Sequence, residues 1–333
     1  MSSWFLWLRH AAVSHVCMVA YTCMVAVGCA DANRGPGQHA RLDAGGSQPS
    51  EAVGPNGGHL SRLLFACVGD TRPPTLDDLS EYPTGVITRI FADIEAMKPR
   101  PPLVVSTGDY VFASGRSGRD AAAAQLDLYL LARQRYSGLL FPAMGNHECT
   151  GPTSSNCGPD SLDGMSANYV AFVDKMLSPL GKREPYYSVR IDAIDGSWTA
   201  KFVVVAANAW SRSQEGWLDS ELAQPTTYTF VVRHEPAGAT TAPGVLPSEA
   251  IMARHPFTLS IVGHRHTYEH FADTPREVII GNGGAPLAAK DYGFGLFRQR
   301  NDGAIVVDMV NWLTGEIDPE FHFAVAPDGG LLP

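Results

Sequence analysis

Short apolar runs alternate with stretches of helical spacing from residue 63 onward. Leu63 to Gly69, Leu103 to Thr107 and Leu139 to Ala143 are almost uninterrupted by polar residues, as strands buried on both faces are. Between the first two, Val86, Ile90, Ile94 and Met97 recur on one face of a helix from about Pro83 to Met97. Pro83 suits a helix start and Pro99 a stop. A second helix is predicted from about Asp120 to Arg135, with Leu126, Leu130 and Leu131 as its stripe, and a third over Ala167 to Leu177. Tyr186 to Ile191 and Lys201 to Ala206 read as a strand pair with Asp195-Gly196 in the turn region. Gln214 to Leu222 reads as a short helix with Trp217 and Leu218 on its core face. Further strands are predicted at Tyr228 to Val232, Thr258 to Val262, Glu277 to Ile280, Phe294 to Arg298 and Ala304 to Val310.

Strands alternating with helices predict an α/β fold: one domain of two packed mixed β-sheets flanked by helices, over residues 59–333. A hydrophobic share of 45% against 18% charged supports a sizeable core. The formal net charge of -9 argues against general nucleic-acid binding, which favours a basic surface. It does not exclude phosphate chemistry, because bound metal ions invert local charge.

The first 29 residues differ in kind. An apolar stretch from Ala11 to Val27 ends in small residues, as secretory signals do. Ala26-Val27-Gly28-Cys29 resembles a bacterial lipobox, with Ala26 where Leu is usual. The expected product is an exported lipoprotein anchored to a membrane through Cys29. A cleaved soluble form and a retained anchor are the alternatives. Residues 30–58, rich in Gly, Pro, Ser, Ala and Asn, read as a flexible linker. Cys67 lies in an apolar strand and reads as a buried thiol. Cys149 and Cys157 flank a polar loop and form a plausible disulfide in an oxidising compartment, with two free thiols as the alternative.

The chemistry gathers where the apolar runs end. Asp70 follows the first strand, Asp109 the second, and Asn146 and His147 the third. His234 follows Tyr228 to Val232, and His264 and His266 follow Thr258 to Val262. Sites in α/β sheets form just beyond the carboxyl ends of strands. One Asp there is ordinarily a turn residue; five successive strand ends with metal-ligating groups point to a metal centre. A carboxylate can bridge two divalent ions. Two ions about 3.5–4 Å apart clamp a phosphoryl group and activate a water. Histidine and oxygen ligands suit manganese, iron or zinc without choosing among them.

Asp70-Thr71-Arg72, Gly108-Asp109, Gly145-Asn146-His147-Glu148, His234 and Gly263-His264-Arg265-His266 stand in the motif order of the calcineurin-like metallophosphoesterases, which include the purple acid phosphatases. The chain resembles that family from about residue 63 to about 270. The resemblance implies the family's sandwich of two sheets between helices and a binuclear centre. Asp109 would bridge the metals, Asp70 and His266 would serve the first, and Asn146, His234 and His264 the second. His147 would protonate the leaving group or steady the phosphate. Glu148 either orients His147 or is a plain surface carboxylate. Gly281 to Pro286 looks like a late glycine-rich turn of the family, or is simply a tight turn.

Two residues depart from the pattern. Arg72 stands where the family usually has a ligating His, and arginine does not bind metal. The first site is therefore a ligand short. Arg72 grips a phosphate oxygen, pairs with a carboxylate, or has no defined role; a guanidinium fork fits phosphate well. Phe112 stands where purple acid phosphatases carry a metal-binding Tyr, so no tyrosinate-ligated ferric ion is expected. Tyr110, Phe112 and Tyr292 line a cleft or simply pack. His255 and His270 are not expected to be ligands.

The leading reading is a phosphomonoesterase or phosphodiesterase that uses a metal-activated water on a phosphorylated small molecule or macromolecule. A non-catalytic surface lipoprotein of the same fold, binding metal or a phosphorylated ligand, is the alternative. A secreted nuclease is disfavoured by the charge.

Overall fold

The computed structural model describes residues 50–115, 120–288 and 290–333. The signal, the lipobox-like Cys29 and the linker up to residue 49 lie outside the described residues. The linker expectation fails for its last residues. β1 (Ala52–Gly54) and β2 (Gly57–Leu60) form a hairpin. Its apolar content is too low to signal strands, and its pairing comes from the neighbouring sheet edge instead.

β3 (Leu64–Val68), α1 (Thr84–Ala96), β4 (Leu103–Ser106), α2 (Ala121–Arg133) and β5 (Leu139–Pro142) make a continuous alternation of strand and helix. α3 (Ala167–Phe172) widens into a π-helical turn at Val173–Leu177 and tightens at Ser178–Leu180. β6 (Tyr187–Ala193) and β7 (Thr199–Val204) pair antiparallel, as expected. α4 (Arg212–Leu222), β8 (Tyr228–Val232), α5 (Val245–Met252), β9 (Leu259–Val262), β10 (Tyr268–His270) and β11 (Glu277–Ile280) follow. The chain ends in the meander β12 (Gly293–Gln299), β13 (Ile305–Asn311), β14 (Ile317–Val325) and β15 (Leu331–Leu332).

The strands form two sheets. One runs β1-β2-β6-β7-β8-β9-β11-β10 and the other β15-β14-β13-β12-β3-β4-β5. β3, β4 and β5 are parallel, as are β7, β8 and β9, and all of these except β7 lead into the candidate ligands. Phe65 of β3 sits between the sheets. Its ring stacks on Phe297 at 4.5 Å and meets Phe202 and Phe230 of the opposite sheet edge-on at 4.9 and 5.0 Å. α4 and α5 cover the outer face of the first sheet through Leu218, Leu222, Ile251 and Met252, while α1 and α2 belong to the main core.

α1 buries the expected Ile90 and Ile94 with Val86 and Met97 partly buried beside them, and its core face is widened by Ile87 and Phe91. The face of α2 differs from expectation. α2 buries Gln125, Leu126 and Tyr129 while Leu131 is 63% exposed. Tyr129 fills the space under α2 in place of Leu131, and its ring meets Phe91 of α1 at 6.2 Å. α5, β14 and β15 were not foreseen. α5 carries a proline and two polar residues among its apolar ones, so no helical stripe stands out, and the first half of β14 is largely exposed and polar.

β1 sits at the outer edge of its sheet. Ala52 pairs with His59, and β2 runs parallel to β6, which is antiparallel to β7. The chain therefore joins this sheet at the end away from the carboxyl ends of β7, β8 and β9.

Phe65→Ala removes the ring that joins the two sheets and should destabilise the fold by about 3–5 kcal/mol. Urea denaturation of the two proteins checks this; a loss below about 1 kcal/mol would show that the sheets do not depend on that contact.

Candidate metal centre

The carboxyl ends of both sheets bring all six expected ligands together. Asp70 follows β3, Asp109 follows β4, and Asn146 follows β5. His234 follows β8, and His264 and His266 follow β9. The backbone at these turns is unusual. Six non-glycine residues have positive φ among the described residues, and four are Asp70, Asp109, His264 and His266. Such conformations are disfavoured by on the order of 1–3 kcal/mol each and persist only where the surroundings impose them. Their glycine neighbours are equally constrained. A Cβ on Gly145 would lie 2.3 Å from Asp109 Oδ1, and one on Gly263 would lie 2.4 Å from Asp70 Oδ2.

His234 is fully buried. With Nδ1–H donated to the Thr107 carbonyl at 2.8 Å, Nε2 of the neutral ring carries the lone pair that can ligate; burial opposes a charge on this ring, but the Asp109 carboxylate outweighs it and pushes the pKa well up. That lone pair faces Asn146 Oδ1 at 3.1 Å, Asp109 Oδ2 at 3.3 Å and His264 Nδ1 at 3.2 Å. His264 Nδ1 lies 3.1 Å from Asn146 Oδ1. Ligand atoms bonded at about 2.1 Å to one ion are separated by about 3.0–3.4 Å in octahedral or tetrahedral geometry. Acceptor groups pointed at each other over those distances repel unless a cation sits among them, so this donor set fits a metal ion.

The second group comprises Asp70, Asp109 and His266, with the candidate ligand atoms within 4.8 Å of one another. His266 Nδ1–H donates to the Pro286 carbonyl at 2.7 Å, which turns Nε2 toward Asp70 Oδ1, 3.6 Å away. The late glycine-rich turn has a definite task here: Ala285 N–H donates to the Asp70 carbonyl and Gly283 N–H to that of Gly69. Burial pushes the Asp70 carboxyl well above the usual range, and the charge of Asp109 adds to it. Asp109 is buried as well, but His234, His147 and Arg72 outweigh that and hold it well below the usual range. Two carboxylates this close and this dry are compensated best by a divalent cation.

Glu148 is a buried clamp, not a surface carboxylate, and its side chain is not what orients the His147 ring. Its carboxylate accepts N–H groups from Gly145 at 2.8 Å, Asp109 at 2.9 Å, Tyr110 at 2.7 Å and Val111 at 3.2 Å. It ties the loop after β5 to the loop after β4. Arg233 is also fully buried. It donates to the Glu235 carbonyl, to Ser248 Oγ and to Glu249 Oε1, fastening the His234 turn to α5. The sequence offered a hint in each case: an acidic residue inside the Gly145 motif, and an arginine closing an apolar strand.

His147 and Arg72 flank the centre. His147 Nε2 and Arg72 Nε each lie 3.9 Å from Asp109 Oδ2. Burial lowers the His147 pKa to about 4, with Arg72 adding to the effect. Phe112 packs against both side chains. Tyr110 is core, stacked with Phe172 at 6.0 Å, and Tyr292 packs on Trp312. Cys149 and Cys157 form a disulfide that closes the loop following His147, and Cys67 is a buried free thiol. As expected, His255 and His270 stand apart from the centre, the first bonded to Asp219 and the second stacked on Phe323.

Two groups of carboxylate and imidazole donors, Asp109 with His234 and His264 and Asp70 with Asp109 and His266, could each hold a metal ion. The family model for calcineurin-like phosphoesterases matches residues 63–268, and the chain belongs to that family. Among solved structures, its fold is similar to a purple acid phosphatase from yellow lupin seeds, with 16% identity and a TM-score of 0.58 over 80% of this chain and 54% of that one. The chain thus spans about half of the lupin enzyme. It is also similar to a dimetal phosphatase from Danio rerio, with 14% identity and a TM-score of 0.53 over 79% of this chain and 98% of the other. GAP50 of Plasmodium, described as the anchor in the inner membrane complex, aligns with 17% identity and a TM-score of 0.53 over 80% and 89%. No curated protein matches the sequence.

Glu148→Gln replaces an acceptor with an amide that presents N–H groups to N–H groups. It should lower stability by about 1–3 kcal/mol and weaken metal binding. Denaturation and metal titration of the variant check both, and unchanged values in both would remove the clamp from the account.

Proposed function

We propose that the protein hydrolyses phosphomonoesters or phosphodiesters with a metal-activated water. The observation that carries this is the set of lone pairs from His234, Asn146, Asp109 and His264 turned on one point. Asn146, His234 and His264 would hold one ion, Asp70 and His266 the other, and Asp109 both. Manganese, iron or zinc suits these donors. Bound there, the metal supplies a nucleophilic water and charge neutralisation.

The remaining work falls to the chain. Arg72 offers N–H donors beside Asp109 to a phosphate oxygen. His147, whose pKa burial lowers to about 4, donates a hydrogen bond to the phosphate in its neutral form; only the protonated ring could pass a proton to the leaving group. No basic stripe favours nucleic acid as the substrate. The protein is exported and anchored at Cys29 in this reading, and the Cys149–Cys157 bridge supports an oxidising compartment.

A second reading keeps the fold and metal but drops catalysis. Arg72 favours it, because a fixed cation beside the Asp70, Asp109 and His266 group opposes a divalent ion there. GAP50 offers a parallel as a protein of this fold described as an anchor.

Asp109→Asn should abolish nearly all turnover of a chromogenic aryl phosphate, at least about a thousandfold in kcat; wild-type rates would refute the bridging role. Metal analysis of the reconstituted protein should find one ion held tightly and a second held weakly, and Arg72→His should tighten the second. Equal affinities in the wild type would show that Arg72 does not disturb the first site.

A further inference from the structure

Arg72 and His147 share a neighbour whose placement gives it a task. The Arg72 guanidinium lies over the Phe112 ring, 4.6 Å from its centroid. The His147 ring meets the same phenyl ring at 4.9 Å and 88°. Hydrogen bonding does little to fix either group. Arg72 Nε and His147 Nδ1 are both buried without a partner, and the one hydrogen bond of the guanidinium is local, to the carbonyl of Pro73. Their common position, 3.9 Å from the same oxygen of Asp109, is set by the ring that separates them.

The ring itself is held from behind. Gln125 of α2 is fully buried, and its amide brackets the Phe112 main chain. Its Oε1 accepts the Phe112 N–H at 2.7 Å, and its Nε2 donates to the Phe112 carbonyl at 3.1 Å and to that of Asp78 at 2.9 Å. A core helix thus fixes the backbone of the aromatic residue that, among the described residues, touches both groups. A guanidinium over a phenyl face is attracted to the ring while its N–H groups stay free at the edge for another acceptor.

We propose that Phe112, fixed by Gln125, is a positioning residue that holds Arg72 and His147 as one phosphate-receiving unit beside the metal centre. This rests on the reading of Arg72 and His147 as phosphate-contacting groups. The ring contributes no polar atom. Its effect falls on substrate and phosphate affinity and not on metal content.

The test uses the metal-reconstituted chain, inorganic phosphate as the probe in isothermal titration calorimetry, and steady-state kinetics on para-nitrophenyl phosphate. Phe112→Leu keeps bulk and removes the π face. It should weaken phosphate binding and raise KM by roughly five- to tenfold, with kcat changed less and metal content unchanged. Added to an Arg72→Ala/His147→Ala background, Phe112→Leu should cause no further loss. A full additional loss in that background, or a fall in metal content with Phe112→Leu alone, overturns the positioning role and leaves the hydrolase reading standing. Wild-type phosphate affinity in Arg72→Ala/His147→Ala overturns the phosphate contacts themselves, and this inference with them.

Discussion

Four backbone N–H groups converge on the carboxylate of Glu148, and most of the site's geometry descends from that convergence. The donors belong to two loops that leave different strands of one sheet. Closing both on a single buried anion fixes Asp109 relative to Asn146, and His147 N–H adds a bond to Asp109 Oδ1 at 3.1 Å. Burial pushes the Glu148 carboxyl up to about 7 and the charge of Asp109 adds to that, while the N–H groups of Gly145 and Tyr110 offset part of the cost. The other sheet is fastened by a different device, the Arg233 network under His234. A carboxylate on one side and a guanidinium on the other thus hold the two halves of the ligand set.

The cluster would not be stable as bare protein chemistry. Carboxylates, an amide oxygen and imidazole lone pairs face one another in a dry space, on turns that hold four of the ligands in a left-handed backbone conformation. The fold supplies the compensation from outside, through the aromatic packing around Phe65 and the strands it joins. Rigid sheets make the strained turns tolerable, and the strain keeps the donors aimed before any ion arrives.

Much of this was legible in the sequence. The ligands sit at strand ends in a fixed order, and that order survives because every polar group there interrupts an apolar run. The alternation of strands and helices was equally plain. Supporting interactions were not. Glu148 reads locally as a surface acid, and only the folded loops reveal its donors. The α1 face follows its aliphatic spacing, but in α2 Tyr129 takes the place of the exposed Leu131, and the Ala52–Leu60 hairpin is hidden because the sheet edge supplies what its composition lacks. Phe112 shows the same limit: its neighbours in space come from residues 72, 125 and 147, which no local pattern connects.

The edge position of β1 has a directional consequence. Because Ala52 lies at the end of the sheet away from the carboxyl ends of β7, β8 and β9, whatever precedes Ser50 attaches at the pole opposite the ligand cluster. A tag or fusion partner joined ahead of β1 would therefore enter the domain far from the ligand turns and leave their hydrogen bonds untouched.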